Sequence, residues 1–158
     1  MIDITKDLQA TRRRLLRAGA ALPWLVLVSP AAATPAAMAA AINAFTNGKT
    51  PQNGKVKLEI SRLIDNGNAV PITVRVDSPM SAEDHVRTIA VFNERNPQTE
   101  VAKFSLTPRA GKADVSTRIR LATSQDLVAI AEFSDGTYWQ QTVNVIVTLA
   151  ACIEGEVG

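Results

Sequence analysis

From Lys55 to Leu149 the chain keeps one rhythm, apolar side chains alternating with polar ones and restarting after each turn signal. A repeat of two residues is that of a strand with one buried face. Val56, Leu58 and Ile60 alternate with Lys55, Lys57 and Glu59, and Val70, Ile72, Val74 and Val76 with Thr73, Arg75 and Asp77. Ile89 and Val91 alternate with Thr88, Ala90 and Phe92; Ala102, Phe104 and Leu106 mark a further strand. Val115, Thr117, Ile119 and Leu121 alternate with Ser116, Arg118 and Arg120. Leu127 to Phe133 is instead a nearly continuous apolar run, as expected of a central strand. Asp135-Gly136 then supplies the positive φ angles of a tight hairpin. It leads into the longest strand, through Trp139, Gln141, Val143, Val145, Val147 and Leu149. About seven short strands with polar turns predict an all-β domain over residues 55–149, an antiparallel β-sandwich of immunoglobulin-like type. The cysteine pair of an antibody domain is absent.

Two segments lie ahead of that domain. Residues 1–33 read as an export signal. Arg12, Arg13, Arg14 and Arg17 form a basic region, residues 18–28 an apolar stretch of 11 residues, and Ala31-Ala32-Ala33 a small-residue cleavage site. Eleven apolar residues are too few to span a bilayer as a helix. The adjacent arginines point to twin-arginine export and a periplasmic mature protein, with no membrane attachment after cleavage. Thr34-Pro35 then opens a helix expected over residues 34–48, with Thr34 as cap and Pro35 in the first turn. Met38, Ile42 and Phe45 form its apolar stripe, and Asn47-Gly48 closes it. Pro51 to Gly54 reads as a turn-rich linker.

The net charge of +2 belongs to the leader. Without residues 1–33 the chain has 12 basic and 13 acidic residues, a net −1. That balance offers no electrostatic footing for nucleic acid.

Residues 150–158 follow the last strand as a flexible arm: Ala150, Ala151, Cys152, Ile153, Glu154, Gly155, Glu156, Val157, Gly158. Cys152 is the only cysteine of the chain. In an oxidising compartment an unpaired cysteine implies an intermolecular partner or a free reactive thiol. Glu154 and Glu156 disfavour the thiolate, which suits a thiol that carries a group better than one that attacks. Three extended residues beyond Leu149 set the sulfur about 10 Å from the sheet, far enough to enter another protein's cleft.

Other chemistry has little footing. His85 stands alone in Ala82-Glu83-Asp84-His85, expected to be a solvated turn, and a closed zinc site lacks its usual ligands. No serine sits in a nucleophile-elbow pattern and no glycine-rich phosphate loop occurs. No cofactor or metal is expected. Arg118 and Arg120, flanked by Arg109 and Lys112, read as the polar face of a sheet or as a partner-docking surface. Three functions stay open: a covalent carrier without catalysis of its own, an exported binding module joined to a partner by a Cys152 disulfide, and a thiol redox enzyme.

Several stretches resemble the SoxY family, sulfur-carrier subunits of the thiosulfate-oxidising Sox system. They are the Thr34-Pro-Ala-Ala-Met38 helix, Asn66-Gly-Asn-Ala-Val-Pro71, Val76-Asp-Ser-Pro-Met80 and Phe92-Asn-Glu-Arg-Asn-Pro97. Val115 to Ala122 and Ala131-Glu-Phe-Ser-Asp-Gly136 join them. The resemblance implies a heterodimer with SoxZ. It also implies a thiosulfate group conjugated to the arm cysteine by the haem protein SoxAX, sulfate release by SoxB, and persulfide oxidation by SoxCD where that enzyme is present. The carrier position would be Cys152. The family typically ends in Gly-Gly-Cys-Gly-Gly, whereas Ala150, Ala151, Ile153 and Glu154 stand here, and two alanines are stiffer than two glycines.

Overall fold

The computed structural model describes residues 33–149. The expected leader up to Ala32 and the expected arm from Ala150 lie outside them. Helix α1 spans Pro35–Phe45, with Thr34 extended at its cap and the Thr34 hydroxyl accepting the Ala37 N–H at 3.1 Å. Asn47 and Gly48 end it at φ of 53° and 77°. No helix of the described residues is long and apolar enough to cross a membrane.

Among the described residues nine strands follow: β1 (Gln52–Asn53), β2 (Val56–Glu59), β3 (Leu63–Ile64), β4 (Val70–Val76), β5 (Val86–Asn93), β6 (Glu100–Ser105), β7 (Ala113–Ile119), β8 (Gln125–Phe133) and β9 (Tyr138–Val147). One sheet runs β2-β4-β7 and the other β1-β9-β8-β5-β6, with β3 also paired to β9. The chain crosses between sheets from β4 to β5, from β6 to β7 and from β7 to β8, the connectivity of an immunoglobulin-like sandwich. All the pairs that build the two sheets from β2 and β4–β9 are antiparallel, as expected.

The two short strands depart from the expectation. β1 and β3 pair with β9 in parallel, so Gln52-Asn53 is a strand and not a free linker. Both cover the outer edge of β9, which would otherwise present unpaired backbone groups.

Val56, Leu58, Ile72, Val74 and Val76 from one sheet meet Ile89, Val91, Leu127, Ala129 and Phe133 from the other in the main core. The central pair β5 and β8 is buried on both faces. Ala90, Phe92, Val128 and Ile130, on the far side of that sheet, pack with Tyr138 under Met38, Ala41, Ile42 and Phe45 of α1. The Phe45 ring meets Phe92 and Tyr138 edge-on, at centroid distances of 5.6 and 5.8 Å. Alternation in β5 thus separates two hydrophobic layers, where the sequence pattern predicts an outer polar face. The domain is a three-layer stack: helix, large sheet, small sheet.

Gln141 sits in the inward phase of β9, where an unpaired amide would be costly. Its Oε1 accepts the Leu58 N–H of β2 at 2.6 Å and so joins the edges of the two sheets. In the β8–β9 hairpin, Gly136 takes a φ of 76°. One Asp135 carboxylate oxygen accepts both the hydroxyl and the N–H of Thr137, at 2.7 and 2.8 Å.

Two outcomes test this packing. Phe92→Ala lowers the unfolding free energy in urea titration by about 3–5 kcal/mol and half-exposed Phe45→Ala by a smaller amount; a Phe45→Ala variant as stable as the parent would show α1 undocked. The bonds from Thr137 hold the Asp135 carboxyl below its ordinary value of 3.8. A depressed carboxyl stabilises the fold above its unfolded value, and the benefit fades as pH falls through the folded one. The stability gap between the parent and Asp135→Asn is therefore full at neutral pH and shrinks below about pH 4.

Candidate functional site

The predicted attachment residue Cys152 and its neighbours Ala150, Ala151, Ile153, Glu154 and Gly155 lie outside the described residues. What the structure places is the ground from which that segment departs. β9 ends at Val147 and not at Leu149, where the alternation ends. The backbone stays tied for two residues more. Ile146 N–H donates to Arg62 O at 2.8 Å, Thr148 N–H to Ile64 O at 2.9 Å, and the Thr148 hydroxyl to Asp65 O at 3.1 Å. Gly67 N–H donates to Leu149 O at 2.9 Å, and on the other side of the strand Val147 N–H donates to Ser124 Oγ at 2.9 Å. Among the described residues the last of these bonds is the one to the Leu149 carbonyl.

The three large hydrophobic side chains most exposed among the described residues gather around this point. Leu63 is 60% exposed, Ile146 54% and Leu149 53%, and Leu63 pairs directly with Ile146 across β3 and β9. Apolar exposure concentrated at one place marks an interaction surface more often than scattered single residues do. The sequence reading missed it. Its signal was Ile146, a branched apolar residue in the outward phase of a strand whose inward phase is Val143, Val145 and Val147.

Beside the root of the arm lies an open cleft of about 440 Å³, lined by Asn96, Pro97, Glu100, Arg118, Arg120 and Ala122 among others. Three buried amides build its wall. Asn93 Nδ2 donates to Gln98 O and Thr99 O, while its Oδ1 accepts the Asn96 N–H at 2.7 Å. Asn96 Nδ2 donates to Arg120 O at 2.7 Å, and its Oδ1 accepts Ala122 N–H at 2.9 Å and Gln125 Nε2 at 3.0 Å. The backbone that carries Arg120 is thereby fixed. Ala33, the last residue of the expected leader, is buried here, its N–H donating to Asn96 O at 2.9 Å.

Arg118 and Arg120 do share this site, but Arg109 and Lys112 do not. Lys112 precedes β7 and Arg120 follows it, which sets them about 25 Å apart along the strand. The far end of β7 holds an exposed ion-pair chain instead. Arg75 Nη1 meets Glu59 Oε1 at 2.6 Å, Arg75 Nε meets Asp114 Oδ2 at 3.0 Å, and Lys57 Nζ meets Glu59 Oε1 at 2.9 Å. Lys57, with Arg75 behind it, holds the Glu59 carboxyl below its ordinary value, while Asp114 and Glu59 raise Arg75. Fully exposed pairs of this kind add little to stability.

His85 corrects the expectation of a wholly solvated turn. Glu83 and Asp84 are exposed, but His85 is half-buried and its Nδ1 is buried without a partner among the described residues. Ser134 brackets it, accepting His85 N–H at 3.1 Å and donating its own N–H to His85 O at 2.8 Å. Among the described residues no three His, Cys, Asp or Glu side chains cluster to hold a metal ion.

The comparisons with known proteins fall on this domain and its arm. A model of the family described as sulfur oxidation protein SoxY matches residues 42–152, so its last matched residue is Cys152. The chain belongs to the SoxY family of sulfur oxidation proteins. Among solved structures it is similar to the sulfur carrier protein SoxY from Chlorobium limicola f thiosulfatophilum. The TM-score is 0.58 at 28% identity, over 68% of this chain and 89% of that one. It also shares its fold with a superoxide reductase (neelaredoxin) from Ignicoccus hospitalis, at a TM-score of 0.53 and 19% identity over 72% and 92% of the two chains. A putative superoxide reductase from Thermotoga maritima gives 0.51 and 20% over 65% and 89%. At such identities the likeness is one of fold alone. No curated protein matches the chain. Family membership puts the chain among the proteins of the Sox system.

The amide wall is tested by Asn96→Ala, which leaves Arg120 O and Ala122 N–H without their partner. The expected loss is about 1–3 kcal/mol in denaturant titration, with faster hydrogen exchange at the Ala122 amide. Unchanged exchange there would show that Asn96 does not hold the wall.

Proposed function

We propose that this chain is a periplasmic sulfur carrier that holds thiosulfate-derived sulfur covalently on Cys152 while other Sox proteins act on it. The observation that carries the reading is that the SoxY family match runs to residue 152, the only cysteine of the chain, three residues past the pinned Leu149 carbonyl. The related structure from Chlorobium is itself described as a sulfur carrier protein.

The chemistry needs little from the domain. Loading joins the Cys152 thiolate to the outer sulfur of thiosulfate through a new S–S bond. Two electrons leave to an oxidant, the haem protein SoxAX, and an S-thiosulfonate remains on the cysteine. Water then breaks the bond between sulfane sulfur and the SO3 group, in the reaction of SoxB. Sulfate and two protons leave, and a persulfide stays on Cys152, to be oxidised by SoxCD where present. Such caps on a thiol are reversible. Glu154 and Glu156 oppose thiolate formation, which favours a carried group over an attacking one. The twin arginines of the leader support export before loading. The apolar ground of Leu63, Ile146 and Leu149 supports docking of a partner subunit, SoxZ, at the root of the arm.

Intact mass decides the matter. Incubated with thiosulfate and an extract containing the Sox partners, the parent gains about 112 Da, one S–SO3 group, and about 32 Da after sulfate release, while Cys152→Ser gains nothing. A parent whose mass does not change, or one found as a stoichiometric disulfide dimer on a non-reducing gel, overturns the reading.

A further inference from the structure

Strand β7 has β4 on one side and, among the described residues, no strand on the other. Its backbone groups can be assigned to the two sides. Asp77 N–H donates to Lys55 O at 2.8 Å, so Arg75 and Thr73, in phase with Asp77, turn their groups toward β2. Asp114 and Ser116, which lie opposite Arg75 and Thr73, are therefore not bonded to β4 through their backbone. Pro71 agrees, since it has no N–H to give to Arg118 across the pair. Asp114, Ser116 and Arg118 thus direct N–H and C=O outward. The next groups in this series, Arg120 O and Ala122 N–H, are taken by the Asn96 amide, which donates and accepts as a neighbouring strand would. Asn96 stops there, and no hydrogen bond among the described residues reaches the outward groups of the other three.

An edge of this kind is a template for one more strand. Its side chains select the occupant. Arg118 and Arg120 are exposed and form no ion pair among the described residues, whereas Asp114 already meets Arg75 at 3.0 Å. Glu100 is the one acidic side chain lining the adjoining cleft, so positive charge is in excess there. A second copy, pairing β7 with β7 antiparallel about Ser116, would set Lys112 against Arg120, like charge on like. Toward the other sheet the cleft offers Val101 and Ile119. We infer that the β7 edge takes an extended segment of a partner protein by strand addition. Carboxylates on alternate residues of that segment meet Arg118 and Arg120, and branched apolar residues between them lie over Val101 and Ile119. The backbone bonds hold the segment, and the arginines choose acidic over basic. The cleft adjoins β6, at the opposite edge of the large sheet from β3 and β9, which carry the exposed Leu63–Ile146 pair. This surface is therefore separate from the apolar one. It needs no thiol chemistry, so it stands or falls apart from the carrier reading.

The probe is a capped peptide alternating Glu and Val, matched to the seven residues of β7 and added to the full chain at low salt. Hydrogen exchange at the Ser116 and Arg118 amides is followed by NMR. With the peptide at about ten times its Kd, both amides are expected to exchange about tenfold more slowly, and the effect weakens as salt screens the arginines. The same peptide N-methylated on its bonding residues gives no protection, and a Lys-Val peptide does not bind. R118E/R120E reverses the choice, taking the Lys-Val peptide over the Glu-Val one. Exchange that stays unchanged up to the solubility limit of the peptide overturns strand addition, as does equal protection by the N-methylated peptide. Protection of the two amides by a concentration-dependent dimer, without peptide, also overturns the inference and makes a second copy the occupant. Should R118E/R120E not fold, the parent alone decides the role of charge: a Lys-Val peptide that binds as tightly as the Glu-Val one overturns it.

Discussion

The end of the sandwich from which the arm departs depends on three buried amides, Asn93, Asn96 and Gln125. Between them they bond seven backbone N–H and C=O groups, and none of them carries a charge. A network of this kind holds its loops in one arrangement or fails as a whole, since each unpaired member costs more than a paired one contributes. The Asn96–Glu100 turn, the residues after β7 and the start of β8 all meet there. Gly67 then carries the same rigidity across to Leu149 through two backbone bonds. The last described residue before the arm is thus joined by backbone bonds to the surroundings of the amide network.

Much of the fold was legible in the sequence. The alternation over β2, β4 and β7 gave the small sheet its inward and outward faces, and the Asp135-Gly136 turn joined β8 to β9. The helix over Pro35–Phe45 followed from its cap, its proline and its apolar stripe. What could not be read was the second buried face of β5. Ala90 and Phe92 look like the outward phase of an ordinary strand until a helix from elsewhere in the chain covers them. The parallel pairs of β1 and β3 with β9 were equally hidden, because two-residue strands have no period.

The candidate site was legible in a different way. Cys152 stood out by being alone, and the resemblance gave it a task. Its surroundings did not stand out. The exposed Leu63–Ile146 pair depends on a parallel register that no local pattern announces. Arg118 and Arg120 look like any polar face of a strand. Their separation from Lys112 and Arg109 follows from the length of β7, and their cleft from a loop about 20 residues away in sequence. A single cysteine is visible to inspection, whereas a binding surface exists only after folding.

The bond from Gly67 to Leu149 has one further meaning, as a clamp on tether length. Three residues separate that carbonyl from Cys152. For a partner seated at the root of a flexible tether, the local concentration of a group at its end falls roughly as the −3/2 power of the tether length. If the bonds of residues 146–149 were released and the tether ran from Val145, its length would grow from three residues to seven, and the local concentration would drop about fourfold. One two-residue strand, β3, and one glycine N–H therefore fix where the sandwich ends and the tether to Cys152 begins.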